Sequence, residues 1–128
     1  MRMKEFCNTI RLFLLQDVQS FRENTMTMKP GRSSTILQVD DFTVTPKSET
    51  SEAGLLYNIE EDITIDKVGS SIASIYKIQR SSILQLETYP GHEPVFIGSM
   101  EWPALVSITT HLNKDTLHIK SKMIQSPL

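Results

Sequence analysis

The chain of 128 residues is predicted to be mainly β, with α+β as the alternative: an antiparallel β-sandwich or barrel-like meander with one or two short helices. Three observations predict this class. Ser82 to Met123 reads as two consecutive β-hairpins, Leu55 to Asp66 alternates apolar and acidic residues, and hairpin-length spacing from Thr35 onward allows about six or seven strands. At this length the chain forms one domain, 1–128, large enough to bury about two-thirds of its unfolded surface.

The elements follow in order. Over residues 5–22, Phe6, Ile10, Phe13, Leu14, Val18 and Phe21 fit helical spacing. Ile10, Leu12 and Leu14 also suit a strand buried on both faces. Thr9, Ile10, Phe13 and Val18 favour β propensity, so a strand at about 9–16 is expected, with a helix as the alternative. Residues 24–34 form a polar loop in which Lys29-Pro30-Gly31-Arg32 signals a turn: proline fixes φ and glycine accepts a positive one. Thr35 to Val44 is strand-like, with a break at Asp40-Asp41. Residues 45–53 hold no large apolar residue and are read as a second polar loop.

In Leu55 to Asp66, Tyr57, Ile59, Glu61, Ile63 and Ile65 share one parity, and Asn58, Glu60, Asp62, Thr64 and Asp66 the other. Glu61 on the apolar side marks a bulge or the strand's exit from the core. Behind Gly69-Ser70-Ser71, the spacing of Ile72, Ile75, Tyr76 and Gln79 predicts a short helix at about 70–79 with a serine cap. Ile83 to Thr88 and Val95 to Ser99 form the first hairpin. Ala104 to Leu112 and Thr116 to Ile124 form the second, around Asn113-Lys114-Asp115. A turn centred on Lys114-Asp115 pairs Leu112 with Leu117 and His111 with His118. Val106, Ile108, Leu112, Leu117, Ile119 and Met123 then face the core, and Ser107, Thr109, His111, His118, Lys120 and Lys122 face away.

Composition narrows the class further. Hydrophobic residues at 39% and charged residues at 22% are ordinary for a folded globular chain. The single Cys7 leaves no internal disulfide, and an intracellular place of folding is expected. Leu12 to Leu15 is the longest apolar run near the start, too short for a signal core of about 7–15 residues or a membrane span. Residues 1–32 carry six basic and three acidic side chains, residues 33–67 two and eight, and residues 68–128 five and four. The basic start and acidic middle are complementary, and the balance gives no drive toward nucleic acid.

The sharpest local candidate for chemistry is the pair His111 and His118, which in the expected register would stand close enough to share a metal ion. A site needs a third ligand, and His92 is not placed beside them, so solvent-facing histidines are expected. Cys7 lacks a neighbouring base and reads as a buried thiol. Ser99 after Gly98 is no nucleophile elbow, because Met100 and Glu101 follow. Lys120 and Lys122 share the histidine face without interleaved aromatics, which argues against a nucleic-acid platform. Gly98-Ser99-Met100-Glu101-Trp102-Pro103 is the most distinctive piece. Gly98 ends a strand or permits a bulge, Pro103 turns the chain, and Trp102 is either a core plug or an interface anchor.

The order of pieces resembles a group of small uncharacterised structural or assembly proteins of tailed bacteriophages and prophages. The resemblance covers about residues 34–124. Its motifs are Gly54-Leu55-Leu56-Tyr57, Ile63-Thr64-Ile65, the strand Ile83 to Thr88 with its Gly91 turn, and Ile97-Gly98-Ser99-x-Glu101-Trp102-Pro103. It implies a non-enzymatic virion component at the tail or head–tail connector, assembled in the host cytoplasm. Such a protein contacts copies of itself or other virion proteins, with loops 24–34 and 45–53 ordering against neighbours. Trp102, Glu101, His111, His118, Lys120 and Lys122 are the interaction candidates. No cofactor, metal, nucleic acid, membrane or small-molecule substrate is expected. The other classes are a ligand- or protein-binding β module of a bacterial cell, and a small metal-dependent enzyme using the His111/His118 face.

Overall fold

The computed structural model describes residues 4–6, 9–23, 25–39, 42–44, 47–51, 54–87 and 94–123. Cys7, Asp40, Asp41, Gly91, His92 and Ile124 lie outside them, so expectations about those residues do too. Twelve strands occur among the described residues, rather than six or seven. They are β1 (Lys4–Phe6), β2 (Thr9–Leu14), β3 (Val18–Arg22), β4 (Thr25–Met28), β5 (Thr35–Gln38), β6 (Phe42–Val44), β7 (Lys47–Ser51), β8 (Gly54–Asp66), β9 (Arg80–Leu86), β10 (Val95–Ile97), β11 (Ala104–Thr110) and β12 (Lys114–Met123). One α-helix, α1 (Ser70–Ile75), joins β8 to β9, and a 3₁₀ turn at Leu15–Asp17 joins β2 to β3. All pairings are antiparallel, as expected.

The main sheet runs β5-β2-β9-β11-β12-β8-β7, with β10 beside β9. Val39, just past β5, bridges to Ile65 of β8, which brings the two sides of the sheet together in a barrel-like ring of six strands. Inside the ring lies one contiguous core, including Ile10, Leu12, Leu37, Ile59, Ile65, Leu84, Leu86, Ile97, Val106 and Leu117. At one end of the ring gather the end of β2, the start of β5, the end of β8 and the start of β9. Because β8 and β9 stand apart in the ring, α1 crosses this end as a plug. Its Ile72 and Ile75 pack onto the core, Tyr76 is 1% exposed, and the Tyr76 carbonyl accepts the Ile108 N–H at 2.8 Å.

The segment whose periodicity allowed helix or strand is β2. Ile10 and Leu12 point into the ring core, while Phe13 packs outside with Val18 and Ile83. The β3–β4 hairpin covers this outer patch, with Phe21 and Phe96 ring centroids 4.8 Å apart. Apolar demand on both faces is what defeats a simple amphipathic reading.

Four expectations are corrected. The polar loops at 24–34 and 45–53 contain strands β4 and β7: β4 pairs with β3 and lays Met26 and Met28 on the outer patch, while β7 is held by backbone pairing to β8. The Lys29–Arg32 turn inside the first segment does form: Arg32 N–H donates to the Lys29 carbonyl, and Gly31 takes φ +76. Glu61 makes no bulge, since the β8–β12 register runs unbroken through Glu61 opposite Ile119. The helix ends at Ile75, and its N-cap is Gly69 without a side-chain hydrogen bond. In the last hairpin Ile108 faces Leu117 and Ser107 faces His118, two residues per strand away from the expected pairing. An even slip preserves every face, so Val106, Ile108, Leu117 and Ile119 are buried as expected, but Leu112 moves into the turn and is 90% exposed.

Candidate functional site

Two surfaces stand out: the polar face of β8–β12–β11, and an excursion between β10 and β11. The first follows from alternation. With one parity of β8 and β12 in the core, Glu60, Asp62 and Asp66 face out opposite Lys120, His118 and Lys114. Glu60, Asp62 and Asp66 of the acidic middle therefore meet a basic C-terminal strand. Lys120 pairs with Glu60 at 3.5 Å and Lys114 with Asp66 at 2.5 Å. His118 Nδ1 lies 2.6 Å from Asp62 Oδ1, and its Nε2 lies 2.8 Å from Thr109 Oγ1. An open cleft of ≈ 420 Å³ lies along this face, lined by Glu60, Asp62, Leu105, His118 and Lys120 among others.

Asp62, His118 and Thr109 thus form a carboxylate–imidazole–hydroxyl relay that sequence reasoning missed, because the β8–β12 pairing that sets Asp62 opposite His118 joins residues 56 apart in the chain. Its chemistry is bounded by its surroundings. The Asp62 side chain is 72% exposed, so solvent screens it. β12 pairs with strands on both sides, β11 pairs with β12 over Leu105–Thr110 and with β9 over Ala104–Val106, and the Ile108 N–H is held by the Tyr76 carbonyl, so these backbone donors are engaged within the fold. A neutral His118 accepts from Thr109, and a protonated one donates to it; either way the relay ties three strands together. His111 is not opposite His118 and stands exposed in the turn, so the two do not converge on a shared ligand site. Among the described residues no group of three or more His, Cys, Asp or Glu is placed to hold a metal ion. Lys122 is exposed at the far end of the face, opposite Asn58.

The turn between β11 and β12 is fastened by Asp115, another residue the sequence reading passed over. Its carboxylate is fully shielded and accepts from Lys67 Nζ at 2.8 Å, Val68 N–H at 2.9 Å and His111 N–H at 3.2 Å. Burial pushes its pKa up. The hydrogen bonds from Lys67, Val68 and His111, with the Lys67 charge, outweigh that and hold the carboxyl below the usual range. The missed signal was parity: Asp115 shares the core side with Leu117 and Ile119.

The excursion is built into one edge of β9. Val95 to Ile97 pair with Leu86 to Leu84, and Ala104 to Val106 pair with Ser82 to Arg80. Two steps along β9, from Leu84 to Ser82, therefore correspond to seven along its partner, from Ile97 to Ala104. Residues 98–103 are looped out of what is otherwise one strand line. Gly98 makes the exit possible: its φ is +95, and a Cβ there would lie 2.9 Å from Ala104 N and 3.1 Å from Ser82 O. Ser99 N–H donates to the Trp102 carbonyl at 3.1 Å, and Trp102 N–H donates to Ser99 Oγ at 3.0 Å. This closed turn holds Met100, Glu101 and Trp102 outward. Trp102 is 38% exposed, so it is not a core plug, and Met100 and Leu105 are exposed to the same extent.

Comparison with protein-family models, with characterised proteins and with solved structures finds no match to this chain. No helix among the described residues is long and apolar enough to cross a membrane.

Proposed function

We propose that this chain is a non-enzymatic structural or assembly protein that works through protein–protein contacts. The observation that carries the reading is the excursion at residues 98–103, where a closed turn anchored by Gly98 presents Met100, Glu101 and Trp102 to solvent. Exposing a half-wet tryptophan has a hydrophobic cost, and a fixed aromatic side chain is an effective anchor because little rotamer freedom remains to be lost on docking. The polar face supports the same reading. Its charges are paired across strands, which suits a cross-strand zipper or a contact rim better than an active site.

The excursion also contains the Ile97-to-Pro103 motif that resembles tailed-phage proteins. The finer proposal is therefore a virion component at the tail or head–tail connector, docking onto copies of itself or onto neighbouring virion proteins. The test is co-expression with the products of the flanking genes, comparing wild type with Met100→Ser/Trp102→Ala. The double variant is expected to fold normally and to lose at least tenfold in co-purified partner. Undiminished co-purification by the double variant would remove the excursion from the account, and a wild type inert toward every neighbour and toward itself would overturn the assembly reading.

A further inference from the structure

The plugged end of the ring holds a second feature that assembly does not use. A cavity of ≈ 350 Å³ opens between α1, the end of β2 and the segment leading into β5. Its apolar wall includes Leu14, Ile72, Ile75 and Tyr76, and its polar side includes Asp17 and Arg32. Mouths of β-barrels are a common place for ligands, and this volume lies at the small end of the range for such sites.

Two observations point to an occupant. The Tyr76 hydroxyl is buried and, among the described residues, has no partner at hydrogen-bond distance; the neighbouring Ser82 hydroxyl donates instead to the Arg80 carbonyl at 3.3 Å. Buried hydroxyls are ordinarily satisfied by protein, water or ligand. The Asp17–Arg32 pair is loose as well. Arg32 Nε stands 3.6 Å from Asp17 Oδ1, its side chain is 62% exposed, and that of Asp17 is only 14% exposed. A sheltered carboxylate and an exposed guanidinium therefore stand side by side at the rim of a cavity of mixed polar and apolar lining, and present both signs of charge to it.

We propose that this cavity binds a small aliphatic α-amino acid, its ammonium on Asp17, its carboxylate on Arg32 and its side chain against Leu14, Ile72 and Ile75. Binding would draw the pair apart and replace one weak contact by two charge-assisted ones. The chemistry needs both charges on one molecule.

The experiment titrates the whole chain with L-leucine, isopentylamine and 4-methylpentanoate, which share an aliphatic body and carry both charges, the positive one, or the negative one. Thermal melting and the methyl resonances of Ile72 and Ile75 are followed. Leucine is expected to raise Tm with concentration and shift both methyls, with each singly charged analogue at least tenfold weaker. Asp17→Asn should weaken leucine at least tenfold, and Ser34→Phe, which narrows the cavity from its polar side, should abolish binding. Absence of leucine-dependent shifts in the wild-type methyls overturns the proposal without relying on any variant. Equal binding of an analogue, or leucine binding that survives Ser34→Phe, also overturns it. None of these outcomes bears on the Trp102 excursion, so this site and the assembly surface stand or fall separately.

Discussion

At the scale of single residues, Asp115 shows how one carboxylate decides a local structure. Its three donors come from the β8–α1 connection and from its own turn, so it fastens two chain reversals at once. Replacing it by Ala leaves the Val68 and His111 N–H groups without their acceptor and should cost about 1–3 kcal/mol. Its pKa is depressed in the folded state, so the stability it adds is present above the unfolded carboxyl value of about 4 and is lost as pH falls through the lower folded value. Urea midpoints measured from pH 7 down to pH 3 should fall more steeply for wild type than for Asp115→Asn, and parallel curves would contradict the assignment. The sequence held a legible hint in the parity of Asp115 with Leu117, but its partners Lys67 and Val68 lie too far along the chain to be inferred.

At the scale of elements, face assignment was legible and register was not. Alternation in β8, β11 and β12 predicted which residues are buried, because a strand's side-chain period admits only two choices. The pairing offset of the last hairpin was not legible: Leu112 continues the apolar alternation one step past the strand, and the bonds of Asp115 and Lys67 to the His111 backbone hold the turn that follows Thr110. The face assignment predicts that Ile108→Ala costs about 2–4 kcal/mol and Lys120→Ala under about 0.5 kcal/mol in chemical unfolding. Similar losses would place the wrong face inside. Polar β7 was read as loop since its residues lack an apolar face; a strand at the end of a sheet is specified by backbone pairing instead. At the excursion, glycine and proline were legible as punctuation, whereas its size depends on where β10 and β11 meet β9. Gly98→Ala should lower stability by about 2–3 kcal/mol through positive φ and the contact with Ala104 and Ser82. An unchanged melting temperature would show that the exit from β10 tolerates a side chain.

At the scale of the molecule, the β class could be read from the sequence but ring closure could not. Closure among the described residues runs through Val39 reaching Ile65, between segments with no mutual sequence signal. The charge pattern was equally misleading alone: among the described residues of the acidic middle, Glu60, Asp62 and Asp66 find their partners on β12 within the same chain, leaving less field for a neighbour. Association through the excursion should therefore respond weakly to salt, changing less than about tenfold between 50 and 500 mM, whereas a contact between charged surfaces would fall further. Trp102 is the single tryptophan of the chain, so its fluorescence reports on the proposed contact and on nothing else in this protein. The deciding measurement is the emission maximum and acrylamide quenching of Trp102 as the protein associates with itself or with a flanking-gene product that lacks tryptophan. A blue shift with reduced quenching, tracking the bound fraction, is the result expected here; a complex that forms while Trp102 keeps its free emission and quenching would contradict it.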